Sequence, residues 1–176
     1  CSPVTSLVVP SPSIIVYVFF SFSFATCTLK LKIIMKGKQI EKVFVTWSDY
    51  NIMVKEIADF YDGKDLEAIV GLSRGGLPMG VHLSNLLSVP FIPLQWQTRD
   101  GDGQDYLGLL KIEKQYDIKK VLFVDDICDS GKTIDQINSI VSGITWSVLI
   151  NKIQGKVEYA AEDLFTDQWI VFPWEY

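Results

Sequence analysis

Val121-Leu-Phe-Val-Asp-Asp-Ile-Cys-Asp-Ser-Gly-Lys-Thr133 is the stretch whose reading decides the fold. Val121 to Val124 is apolar at every position, the pattern of a parallel strand buried on both faces. It ends in two carboxylates, Asp125 and Asp126, where open α/β sheets bind their ligands, at the carboxyl end of a strand. A short loop follows, then a helix predicted to start near Gly131. Ser130, Gly131 and Thr133 offer backbone N–H groups and hydroxyls there, and the orphan N–H groups and helix dipole favour an anion. An acidic pair and a phosphate cradle in one loop suit a ligand that carries both vicinal hydroxyls and a phosphate, namely a ribose phosphate.

Other readings of this run fail. A strand with solvated acids at its end leaves the Gly-Lys-Thr spacing unexplained. The nucleotide-binding P-loop also ends in Gly-Lys-Thr, but it needs a glycine five residues before Gly131. Asp126 stands there, and a carboxylate would repel a triphosphate. A phospho-acceptor receiver domain carries its acidic pair after its first strand, whereas this pair comes late in the chain.

Working outward, Lys42 to Trp47 is a short β-like run. Ser48 is placed to cap the helix that follows, and Asp49 favours its N-terminal dipole. Ile52, Met53, Ile57, Phe60 and Tyr61 form the expected apolar face, Lys55, Glu56 and Asp59 the polar one, and Gly63 the stop. Ala68 to Leu72 reads as a buried strand, Leu77 to Leu87 as a helix, and Val89 to Gln95 as a strand held between prolines. Trp96 to Gly108 is polar and glycine-bearing, so a mobile loop is expected. Ile112 to Lys120 leads into the signature strand, Ile134 to Val141 continues the helix after it, and Thr145 to Asn151 is another strand. This alternation predicts an α/β fold, a parallel sheet with helices on both faces.

Ser73-Arg74-Gly75-Gly76 also follows a strand. The two glycines let the backbone approach a ligand closely, and Arg74 supplies a planar fork for phosphate oxygens. His82 lies within an apolar helix and is read as structural.

The chain has 176 residues, enough for one domain with a sizeable core. Its net charge of −5 argues against a nucleic-acid partner, which needs a basic face. Cys1, Cys27 and Cys128 are an odd number without metal-ligand spacing, so neither a disulfide framework nor a zinc site follows. Cys128 is most simply a small residue of a reducing compartment.

Residues 1–34 are read as an apolar segment outside the working domain, which is placed at 35–176. The first charged residue is Lys30, and the apolar stretch Ile14 to Phe24 is short for a membrane span of about 20 residues. A basic signal-type start is absent, and the first methionine is Met35. Upstream translated sequence is the leading origin. An anchoring or signal segment and an extra buried strand are the alternatives.

The Val121–Thr133 run resembles the phosphoribosyl-pyrophosphate signature of the type I phosphoribosyltransferases: apolar strand, two acids, two residues, then Asp-Ser/Thr-Gly-x-Thr. Ser73-Arg-Gly-Gly76 looks like that family's pyrophosphate loop, where a cis peptide would fall at Ser73–Arg74. Val43 to Trp47, Asn151-Lys152 and the tail Asp167-Gln-Trp-Ile-Val-Phe-Pro-Trp-Glu175 are similar to bacterial xanthine–guanine phosphoribosyltransferases. The resemblance covers roughly Val43 to Glu175. It implies the type I phosphoribosyltransferase fold with a small C-terminal hood. The implied reaction is transfer of ribose 5-phosphate from phosphoribosyl pyrophosphate to a 6-oxopurine, in the cytoplasm, by a homo-oligomer with Mg²⁺.

By the same resemblance, Ser73, Arg74 and Gly75 hold the diphosphate, Asp125 and Asp126 the ribose hydroxyls, and Asp126 stands near the metal. Asp129 faces the purine as general acid/base, and Ser130, Gly131, Lys132 and Thr133 hold the 5′-phosphate. Lys152 donates to the 6-oxo group, Trp169 stacks on the purine, and the Ile170 backbone reads its edge. Departures are the loop Gln95 to Gly101, where Arg99 is a candidate phosphate ligand without a secure alignment, and Lys132, which is closer to hypoxanthine–guanine enzymes. A transferase for another base class and a non-catalytic sensor of phosphoribosyl pyrophosphate are the rival readings.

Overall fold

The computed structural model describes residues 15–22, 27–34, 40–97 and 103–175, the first two segments and residue 40 by their backbone. Arg99 lies outside the described residues. The strands are β1 (Ile15–Phe22), β2 (Cys27–Ile34), β3 (Ile40–Phe44), β4 (Ala68–Ser73), β5 (Phe91–Gln95), β6 (Val121–Cys128), β7 (Thr145–Asn151), β8 (Tyr159–Asp163) and β9 (Trp169–Val171). The α-helices are α1 (Trp47–Tyr61), α2 (Gly76–Leu87), α3 (Tyr106–Gln115) and α4 (Lys132–Asn138). They divide into two units, one holding β1, β2, β3 and β9, the other spanning Asn51–Phe165.

The larger unit is built on a five-stranded sheet in the order β5-β4-β6-β7-β8, with every pair parallel. Val121, Leu122, Phe123 and Val124 are all fully buried, as a strand covered on both faces requires. Along β4, Ala68, Val70 and Leu72 join Phe123, Trp146 and Val148 in one core layer with Leu109 and Ile112 of α3 and Ile134 and Ile137 of α4. The opposite face carries Gly71, Val124 and Ser147 in register. There α2 comes so close that a Cβ on Gly71 would lie 2.8 Å from the Gly76 carbonyl oxygen. Tyr61, at the end of α1, donates its hydroxyl to Glu158 and meets Ser147 on this face.

Both sheet edges carry residues that discourage further pairing. Pro93 sits exposed in β5, and Glu162 and Asp163 lie exposed in β8.

In the smaller unit, β1 and β2 pair antiparallel, β2 pairs antiparallel with β3, and β3 pairs parallel with β9. The C-terminal segment expected as a hood therefore enters as a strand, with Val43 opposite Ile170. After it, Phe172 and Trp174 stack at 5.1 Å, and the Glu175 carboxylate accepts from the Phe172 N–H. Trp174 also meets Trp47 and Tyr50, so the Pro-Trp-acid ending serves the packing of this unit.

Several local expectations need correction. The cap of α1 is Thr46, not Ser48. Thr46 Oγ1 accepts from the Asp49 N–H, and Asp49 Oδ2 accepts from the Thr46 N–H, a reciprocal capping box. Its buried face is Tyr50, Val54, Ile57, Ala58 and Tyr61, whereas Ile52 is 55% exposed and Phe60 lies at the surface. The loop after Trp96 ends earlier than expected, because Trp96 bridges to Gln104 and Asp105 caps α3 by accepting from Gly108 N–H. Neither α3 nor β8 was anticipated. Sequentially adjacent parallel strands need a crossover, which α3 provides between β5 and β6.

Candidate active site

The loops singled out in the sequence meet because their strands are neighbours. β4 lies beside β6, with Gly71 opposite Val124, and β6 lies beside β7, with Cys128 opposite Asn151. The segments after these strands thus emerge at one edge of the sheet, the carboxyl ends where such folds bind ligands.

After β4, the Ser73–Arg74 peptide bond is cis, as the resemblance implied. Ser73 Oγ is buried and has no hydrogen-bond partner among the described residues. Arg74 is exposed. A Cβ on Gly75 would fall 2.0 Å from Asp126 Oδ2, and one on Gly76 would fall 2.3 Å from the Val124 carbonyl oxygen. The Gly-Gly pair is therefore what lets this loop and the start of α2 lie against the acidic pair. The Gly76 N–H donates to the Asp125 carboxylate, and so does the Asp126 N–H at 3.0 Å. Burial and the adjacent Asp126 charge nevertheless push the Asp125 carboxyl well above the usual carboxylate range.

Asp129 and Ser130 are exposed, Gly131 is buried at φ +71°, and Thr133 is partly buried. The positive φ at Gly131 is a conformation glycine adopts without strain. The helix begins at Lys132, with Gly131 at its cap position. The thiol of Cys128 is buried and pushed up to about 11, chiefly by desolvation, which leaves it a packing residue rather than a nucleophile.

The β7 end brings in Lys152. Its N–H continues the ladder to the Cys128 carbonyl at 2.9 Å, and its Nζ lies 3.2 Å from Asp129 Oδ1, with the lysine side chain only 10% exposed. Asn151 shapes this turn. Its amide donates to Asp163 at 2.8 Å, and its Oδ1 accepts from the Ile153 N–H. The sequence placed Asn151 at a strand end without a role, although a buried amide there is a signal of that kind.

Thus Ser73, Arg74, Gly75, Asp125, Asp126, Asp129, Ser130, Gly131 and Lys152 lie in loops or strand ends of the larger unit, and Lys132 and Thr133 in the first turn of its α4. Trp169 and Ile170 lie on β9 of the smaller one, where Trp169 is 45% exposed and Ile170 is buried. His82 is partly buried on α2.

No group of three or more His, Cys, Asp or Glu gathers as a metal cage among the described residues. No helix among them is long and apolar enough to cross a membrane.

The phosphoribosyl transferase domain model matches residues 50–176, so the chain belongs to that family. It is a type I phosphoribosyltransferase, with similarity to an enzyme of the xanthine–guanine kind. It is 26% identical to the xanthine-guanine phosphoribosyltransferase of Cereibacter sphaeroides over 149 residues, 77% of this chain and 88% of that one. The purine phosphoribosyltransferase of Pyrococcus horikoshii superposes with a TM-score of 0.57 at 26% identity, over 77% of this chain and 94% of that one. The xanthine-guanine-hypoxanthine phosphoribosyltransferase of Helicobacter pylori shares the fold, with a TM-score of 0.53 at 19% identity over 76% and 93%.

Proposed function

We propose that the protein transfers ribose 5-phosphate from phosphoribosyl pyrophosphate to N9 of a 6-oxopurine (guanine, xanthine or hypoxanthine), releasing diphosphate. The observation that carries the choice of base is the Lys152–Asp129 pair at 3.2 Å. A carboxylate acceptor beside an ammonium donor matches the N7–H and 6-oxo oxygen on one edge of such a base. Adenine puts an amino donor at that edge, and two donors would then face each other.

In this reading the N9–C1′ bond forms as the C1′–oxygen bond breaks, and its electron pair leaves on the diphosphate. Asp129 takes the N7 proton. Ser73, Arg74 and Gly75 hold the departing diphosphate, and Arg74 neutralises its growing charge. The partnerless Ser73 hydroxyl fits a ligand at this loop. Asp125 and Asp126 hold the ribose hydroxyls, and Ser130, Gly131, Lys132 and Thr133 hold the 5′-phosphate. Lys152 binds the 6-oxo oxygen. Trp169 and Ile170 are assigned to the purine on the resemblance alone.

The acidic pair fits Mg²⁺, which prefers one or two carboxylates and completes its shell with substrate oxygens. Asp126 would hold the ion, which would supply charge neutralisation at the diphosphate. A phosphorylated donor places the activity in the cytoplasm, and the family resemblance points to a homo-oligomer.

The test is nucleotide formation from phosphoribosyl pyrophosphate and Mg²⁺ with guanine, hypoxanthine, xanthine, adenine or orotate in separate reactions. Product with 6-oxopurines and none with adenine or orotate is expected. Product with adenine or orotate instead overturns the base assignment. No product with any base, together with measurable donor binding, overturns catalysis in favour of a sensor.

A further inference from the structure

Lys156, in the connection from β7 to β8, reaches back across the loop read above as the 5′-phosphate site. A Cβ on Gly131 would meet its Cε at 3.2 Å, its Cγ at 3.3 Å and its Cδ at 3.4 Å, so the aliphatic stem lies flat over this glycine. Its ammonium ion-pairs with Asp135, in the first turn of α4. The charge of Lys156 also acts on Cys128 and opposes that of Asp125 and Asp129 there.

The surroundings make this cation consequential. Asp125, Asp126, Asp129 and Asp135 all fall within eleven positions of one another, and a phosphate is doubly charged or nearly so at neutral pH. Lys152 is already paired with Asp129. A bare carboxylate in the first turn of α4 would suit the helix dipole but would repel a phosphate beside Gly131.

We propose that Lys156 is a positioning residue for the donor's 5′-phosphate: its stem holds Gly131 in place, and its ammonium cancels the charge of Asp135. This rests on the reading of Ser130–Thr133 as the phosphate loop.

The test is steady-state kinetics on the full chain, with kcat and the KM for phosphoribosyl pyrophosphate measured separately. Lys156→Met keeps the stem and removes the charge. It is expected to raise the donor KM about 10-fold, the scale of one charge-assisted contact, with kcat little changed. Lys156→Arg restores the KM. Asp135→Asn, which keeps Lys156 and removes the negative charge, lowers it, and the double variant Lys156→Met/Asp135→Asn returns toward the parent value. Thr133→Ala serves as the independent probe of the loop.

An unchanged KM in Lys156→Met, with a raised one in Thr133→Ala, overturns the role of Lys156 and leaves the phosphate loop standing. An unchanged KM in both overturns the loop reading itself. A double variant as poor as Lys156→Met, or a raised KM in Asp135→Asn, overturns charge cancellation. Asp135→Asn also decides the matter if Lys156→Met does not fold.

Discussion

The ammonium of Lys152 stands 3.2 Å from Oδ1 of Asp129, although the two residues belong to different strand ends. The pairing of β6 with β7 puts Cys128 opposite Asn151, and the Lys152 N–H caps the Cys128 carbonyl. A donor and an acceptor are thereby held side by side before any base arrives. Under the proposed function, that preorganisation lowers the ordering cost of binding the base.

Asp129→Asn removes the proposed proton acceptor and keeps the shape. Turnover is expected to fall by about 10²–10⁴, while donor affinity measured by calorimetry stays as in the parent. Undiminished kcat would remove Asp129 from the acid/base role.

Lys152→Met leaves both the 6-oxo oxygen and Asp129 without their cation. For guanine or hypoxanthine, kcat/KM should drop by about 10²-fold, as for loss of a hydrogen bond to a charged group. A trace activity with adenine should not drop with it, because adenine carries an amino donor, not an acceptor, at its 6-position. Parallel losses for both bases would show that Lys152 acts on folding rather than recognition.

Gly75→Ala and Gly76→Ala separate binding from folding. The Cβ on Gly75 meets the movable end of Asp126, so the carboxylate rotates away and the donor KM rises with little change in melting temperature. The Cβ on Gly76 meets backbone, the Val124 carbonyl oxygen at 2.3 Å. That clash should cost about 1–3 kcal/mol of stability, read as a fall in the urea midpoint. Equal loss of stability in both variants would contradict the rigid packing of α2 on β6.

Asp125 gives a pH signature. Its carboxyl is raised by burial and by Asp126, so the folded chain binds this proton more tightly than the unfolded chain. Its contribution favours folding below the unfolded value of about 3.9 and becomes a cost as pH rises through the folded value. Asp125→Asn keeps an oxygen for the Asp126 N–H donor. It should be more stable than the parent at pH 8, with the gain shrinking toward pH 4, while activity falls. Urea unfolding across that range checks this, and a gain that grows on acidification would reverse the sign argument.

A chain starting at Met35 is proposed to fold and keep its activity. Its yield of soluble protein and its turnover decide this. Insolubility, when the full chain is soluble, would make the β1–β2 hairpin part of the structure that β3 needs.

The sequence by itself determined those features that are local. The unbroken apolar run Val121 to Val124 specified a strand buried on both faces, and the Asp, Ser and Gly residues after it specified a loop and a helix start. Ser73 to Gly76 was legible for the same reason, since glycine pairs and an arginine carry their chemistry within four residues. Periodicity misled on α1, because its apolar positions outnumber its buried ones, and only the packed structure leaves Ile52 and Phe60 at the surface. Thr46 took the cap from Ser48 because Asp49 completes a reciprocal pair with it. The tertiary structure alone decided which distant residues meet. Lys152 reaches Asp129, Lys156 reaches Gly131, and Gly75 makes room for Asp126. These separations follow from the order of strands in a parallel sheet, a long-range property that no local spacing in the chain encodes.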